Sequence, residues 1–106
     1  MNYTWEISNI SVLSNETQSN IVESFDWTLS CNHEGQSVDV TKNTYMASGN
    51  DVIEGFTDFN NFTKEDFVTF IENSLGVELT TLKEQLATDV KAKVRNNAKI
   101  VVDAPL

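Results

Sequence analysis

The stretch 21–31, IVESFDWTLSC, constrains this chain most. From Phe25 every second residue is apolar (Phe25, Trp27, Leu29, Cys31), with Asp26, Thr28 and Ser30 between them. A period of two is that of a strand with one face buried and the other wet. Polar, turn-rich segments stand on either side, and each leads to a further alternating run. A strand with a hairpin partner on both sides is the middle of a sheet, so Trp27 is expected near the centre of the covered face.

Upstream, Tyr3, Trp5 and Ile7 alternate with Thr4, Glu6 and Ser8. Ile10 and Val12 then carry the apolar positions, and this change of parity predicts a bulge at Ser8-Asn9. The polar segment 14–20 is the first hairpin loop. Downstream, Asn32-His33-Glu34-Gly35-Gln36 is a turn in which Gly35 supplies a positive φ. Val38 and Val40 restart the alternation, and the third strand extends to Tyr45 or Met46. Phe56, Phe59 and Phe62 punctuate an irregular stretch, 52–62, that is either a further short strand or a loop pinned by its aromatics.

The period then changes. Thr63 has the character of a helix N-cap, with Glu65 and Asp66 in the favourable first turn. Phe62 and Phe67 have the spacing of a hydrophobic staple. Phe67, Phe70, Ile71 and Leu75 share a face, and Gly76 ends the helix. A second cap follows at Thr81-Leu82-Lys83-Glu84, which matches the capping box. Leu82, Leu86, Val90 and Val94 step by fours from there, with Lys91, Lys93 and Arg95 suited to the end of the dipole and Asn96-Asn97 as the stop.

Strands first and helices after make this an α+β fold: an antiparallel meander of three to four strands, then two amphipathic helices packed on one sheet face. Residues 1–98 form a single domain. The tail 99–106, KIVVDAPL, is β-prone at Ile100, Val101 and Val102, and Pro105 excludes a helix there. It is either an edge strand of the same sheet or an extended arm reaching a neighbour. With 106 residues, 40% of them apolar, one core is expected without disulfides or metal.

The formal net charge is −9, and its distribution is uneven. Residues 1–41 hold Glu6, Glu16, Glu23, Asp26, Glu34 and Asp39 and no Lys or Arg, whereas Lys91, Lys93, Arg95 and Lys99 crowd near the end. An acidic surface repels phosphates and anionic lipid, so neither nucleic acid nor membrane is an expected partner. Solubility accounts for such a surface; docking on a basic partner, or imitation of DNA, is the sharper reading. No basic or apolar leader opens the chain, so no signal peptide is expected, and the sequons at Asn2, Asn9, Asn15 and Asn61 are read as chance.

No catalytic, cofactor-binding or metal-binding residues are assigned. His33 is the only histidine, and with Cys31 and Glu34 nearby it lacks the further His or Cys a tetrahedral site needs. It is read as a solvated turn histidine, and Cys31 as a small buried hydrophobe. Asp51, Glu54, Asp58, Glu65 and Asp66 lack the order of a calcium loop. Gly35, Gly49, Gly55 and Gly76 are isolated and form no phosphate loop.

The start Tyr3-Thr4-Trp5-Glu6-Ile7, the Trp27-Thr28 pair, and the run Phe56-Thr57, Phe62-Thr63, Phe67, Phe70-Ile71 and Leu75-Gly76 resemble a family of small tailed-bacteriophage proteins. The resemblance covers nearly the whole chain and rests on structural aromatics and caps. The tail, ending Ala104-Pro105-Leu106, is shorter and less proline-rich than that family's. The resemblance implies a phage origin and a virion component, made in the host cytoplasm, and supplies no catalytic residues.

The expected function is therefore a non-enzymatic structural protein of the capsid or tail, touching other phage structural proteins or a second copy of itself. Strand addition at the sheet edge and the tail is the expected mode, with Lys99, Ile100, Val101, Val102, Pro105, Leu106, Phe56 and Phe59 as contact residues. The alternative is a small acidic inhibitor of a host defence or host enzyme, acting as a charged decoy.

Overall fold

The structure, a computed structural model, describes residues 1–14, 18–46 and 58–99. Three strands, β1 (Asn2–Leu13), β2 (Ile21–His33) and β3 (Gln36–Tyr45), precede a 3-10 turn (Phe59–Asn61) and two helices, α1 (Lys64–Leu75) and α2 (Val77–Ala98). The sheet is an antiparallel meander in the order β1-β2-β3. Both helices pack on it, as the order of strand and helix periods predicts.

Phe25, Trp27, Leu29 and Cys31 of β2 are buried. Pairing extends that face sideways: Tyr3, Trp5 and Ile7 lie opposite Cys31, Leu29 and Trp27, and Val38 and Val40 lie opposite Cys31 and Leu29. Phe67 and Ile71 of α1 and Leu79, Leu86 and Val90 of α2 close over it. Phe25 meets Phe67 edge-on, ring centroids 4.9 Å apart, and Trp27 meets Trp5 at 5.5 Å. The indole Nε1 of Trp27 donates to Thr44 Oγ1 at 2.8 Å, so the largest buried side chain leaves no polar atom unpaired.

The register between β1 and β2 shifts after Ser8, where Asn9 takes a positive φ of 49°. The extra residue explains why the apolar parity changes there. The β2–β3 turn is Glu34-Gly35, with φ of 48° and 77°, the pair of positive φ values of the hairpin turns that match strand twist. This corrects one expectation: Asn32 and His33 belong to the strand, opposite Ser37 and Gln36, and the turn is confined to two residues.

At α1 the caps are as expected. Thr63 Oγ1 accepts from the Asp66 N–H, Asp66 Oδ2 accepts from the Thr63 N–H, and Phe62 stacks near Phe67 at 4.9 Å. The start of α2 is a second correction. It begins at Val77, directly after Gly76, and Thr81 lies inside it. Gly76, with φ 54° and ψ −122°, ends one helix and opens the next. Burying Leu79 holds the extra first turn down, and that turn has no side-chain cap. The helix also runs past Asn96-Asn97 to Ala98. Of the segment 52–62, residues 58–62 are described and hold the 3-10 turn; whether the rest adds a strand lies outside the described residues.

Candidate partner groove beside the first strand

Among the described residues β1 pairs on one side only, with β2. The 3-10 turn and α1, packed over the covered face, border β1, and a groove runs between them and the strand. One part, about 570 Å³, is lined by Tyr3, Thr4 and Trp5 and by Lys64, Glu65, Val68, Thr69 and Glu72. The next, about 390 Å³, is lined by Glu6, Ile7 and Ile10 and by Phe59, Phe62, Thr63, Lys64 and Phe67. Tyr3, Thr4 and Trp5 are consecutive and point to alternate faces. A groove that touches all three follows the strand's edge, where main-chain donors and acceptors lie. From Tyr3 to Ile7, before the bulge at Asn9, it offers about 13 Å of regular edge at roughly 3.3 Å per residue.

Each wall is held by identifiable contacts. The Phe59 N–H donates to the Asn20 carbonyl at 3.0 Å, and Asn20 Nδ2 reaches the Asp58 carboxylate at 3.3–3.4 Å. Asp58 also caps the 3-10 turn through the Asn60 N–H at 2.8 Å. The start of β2 therefore fixes Phe59, and the staple fixes Phe62. On the strand side, Tyr3 donates from its hydroxyl to the Lys83 carbonyl at 3.0 Å, with Lys83 Nζ 5.3 Å from its ring centroid. Burial, with the Cys31 thiol adding to it, raises the Tyr3 pKa. The far end of the groove is polar and carries both signs (Lys64, Glu65, Glu72); the end near Phe59 is aromatic and aliphatic. This is the chemistry of an extended-chain site, with main-chain pairing along an edge and pockets for alternate side chains.

The opposite face of the sheet is polar over four rows, with Tyr45 exposed beyond them. Its rows read Asn2-Asn32-Ser37, Thr4-Ser30-Asp39, Glu6-Thr28-Thr41 and Ser8-Asp26-Asn43 across the strands. They hold three carboxylates (Glu6, Asp26, Asp39) and no Lys, Arg or His. Asp26 accepts from Asn43 Nδ2 at 2.9 Å and from Asn9 Nδ2 at 2.8 Å, and these bonds, Asn43 first, hold its pKa below the ordinary value of 3.8. The charges of opposite sign gather elsewhere. Lys91, Lys93, Arg95 and Lys99 are exposed at the end of α2, where Lys93 Nζ donates to the Ser37 carbonyl of β3 at 2.9 Å.

Of the contact residues expected from sequence, Phe59 is half-buried and lines the groove, and Lys99 is the exposed C-cap of α2. Phe56, Ile100, Val101, Val102, Pro105 and Leu106 lie outside the described residues. Thr4, Glu6, Lys64, Val68, Thr69 and Glu72 were not singled out by sequence. Val68 carried a signal, since it is apolar and sits off the Phe67/Ile71 stripe of α1. Cys31 is fully buried, and His33, on the same strand, has Nε2 4.0 Å from Glu34 Oε1. Among the described residues no three His, Cys, Asp or Glu side chains gather as metal ligands, and no helix is long and apolar enough to cross a membrane.

The family model described as Domain of unknown function (DUF7936) matches residues 1–105, so the chain belongs to that family. No curated protein and no solved structure matches it.

Proposed function

We propose that this DUF7936 member is a non-enzymatic structural protein of a bacteriophage particle, attached to the capsid or tail, that works through protein–protein contacts. The observation that carries the contact mode is the groove between β1 and α1. It combines a regular strand edge about 13 Å long with an aromatic pocket at Phe59, Phe62 and Phe67. An extended segment of another structural protein, or of a second copy, pairs there with β1 and buries alternate apolar side chains. The phage assignment rests on the sequence resemblance, and the protein is placed in the virion, with the host cytoplasm as the site of assembly. Neither nucleic acid nor a membrane is a partner in this reading.

Mass spectrometry of purified particles of the encoding phage tests it. The protein is expected in stoichiometric amounts. Copies in a multiple set by capsid symmetry mean head decoration, and a small ring number means the neck or tail. Its absence from particles overturns the reading.

The polar sheet face favours a second reading, an acidic inhibitor that engages a basic host protein as a charged decoy. Neutralising Glu16, Glu23, Asp26, Glu34 and Asp39 together then abolishes capture of that host protein from lysate. Capture that survives neutralisation excludes the decoy.

A further inference from the structure

We infer that residues 100–106 of one copy occupy the β1–α1 groove of a neighbouring copy, so that the protein assembles head to tail. The inference rests on the strand-addition reading above and names its occupant.

The path of α2 is the first observation. Its Lys83 carbonyl is held by Tyr3 of β1, and its Lys93 side chain reaches Ser37 of β3. The helix therefore crosses the sheet from the first strand to the third. Lys99, about 9 Å of helix beyond Lys93, lies past the β3 edge, while the groove lies past the β1 edge. Lys99 itself is extended, with φ of −72° and ψ of 131°.

Length is the second. Residues 100–106 reach about 24 Å when extended. Returning to the groove of the same copy uses about 9 Å to retrace the helix end and about 10 Å to cross two strand spacings. Little more than one residue is left to pair. In a neighbouring copy the same residues cover the roughly 13 Å of regular edge between Tyr3 and Ile7 and keep about 11 Å to reach it.

Charge is the third. Lys91, Lys93, Arg95 and Lys99 are exposed where the segment departs. Glu6, Glu65 and Glu72 stand exposed along the groove, with Lys64 as the one cation there. The departing end of one molecule complements the receiving side of the next, although the molecules repel as wholes. Ile100, Val101 and Val102 supply β-branched side chains for the edge and the aromatic pocket. A contact between unlike patches is heterologous and generates a ring when the rotation closes.

The test is native mass spectrometry of the full chain with two full-length variants. Val68→Glu blocks the groove and keeps the tail; the double variant Ile100→Asp/Val102→Asp spoils the tail and keeps the groove. The wild type is expected to form an oligomer and each variant alone a monomer. Their mixture gives a one-to-one dimer, because one tail and one groove remain intact. Thr69→Glu, at an exposed position of the same wall, replaces Val68→Glu if the latter melts early by circular dichroism. A monomeric wild type, an oligomer unaffected by either variant, or a mixture that stays monomeric overturns the inference. A monomer still found in particles defeats this inference alone; an oligomer absent from particles defeats the virion reading alone.

Discussion

Two side chains show how single residues set the behaviour of this sheet. Trp27 is buried with its indole N–H satisfied only by Thr44 among its described hydrogen bonds. Thr44→Val keeps the shape and removes the acceptor, so the indole donor is stranded. Urea denaturation is expected to show a loss of about 1–3 kcal/mol. Asp26, on the polar face, is clasped by Asn43 and Asn9. Its pKa is depressed on folding, so its contribution is present above the unfolded value near 3.8 and is lost as pH falls through the lower folded value. Asp26→Asn is therefore less stable than wild type at neutral pH, and the two melting temperatures converge as the solution is acidified below that range. A gap that stays constant with pH disproves the linkage. Residue-level readings from sequence were good wherever neighbours along the chain carried the signal. Cys31 was legible as a buried hydrophobe from its place in the alternation, and Asn9 as a bulge from the parity change. The Asn9–Asp26–Asn43 clasp was not legible, because it joins three strands and needs the register.

Among the elements, the β2–β3 turn and the α1–α2 junction both hold left-handed backbone. Glu34 holds a positive φ of 48° where Asn is the favoured residue before Gly. Glu34→Asn is expected to raise stability by roughly 0.5–1 kcal/mol. Its 4.0 Å contact with His33 is exposed and offsets little of this gain. Thermal melts of the two proteins decide it. Gly76 joins the helices with φ 54° and ψ −122°, a region that L side chains avoid. A Cβ there meets nothing within 4 Å, so Gly76→Ala is expected to cost about 1–3 kcal/mol through the backbone alone. Wild-type stability in that variant means the junction relaxes elsewhere. The N-cap at Thr63 and the staple of α1 were readable because each spans only a few residues. The capping box read at Thr81 misled because an intrinsic cap preference of about 1 kcal/mol competes with burial of Leu79, whose effect of about 1.5–3 kcal/mol lies outside any local window.

At the scale of the whole molecule, charge and topology act together. A net charge of −9 on a small domain opposes the compact state through self-repulsion. Added sodium chloride is expected to raise the melting temperature monotonically between about 0.01 and 0.5 M, as the screening length shortens from about 30 Å to a few ångströms. A flat or falling curve means that favourable ion pairs outweigh repulsion. The separation of acids in the strands from bases at the end of α2 also makes the molecule polar along the direction in which α2 crosses the sheet.

By itself the sequence determined the period-two strands, the bulge, the two-helix order, the α1 caps and the identity of the covered face. Each of these is a torsional preference or a hydrophobic pattern written in adjacent residues. Tertiary structure decided where α2 begins, that it crosses from β1 to β3, and that a groove opens between β1 and α1. Those features are spatial relations between segments far apart in the chain. Side-chain packing sets them, through Phe25 against Phe67, Tyr3 against Lys83 and Asn20 against Phe59. A groove exists only once two elements have been placed at a distance from one another, and no local pattern of residues encodes that distance.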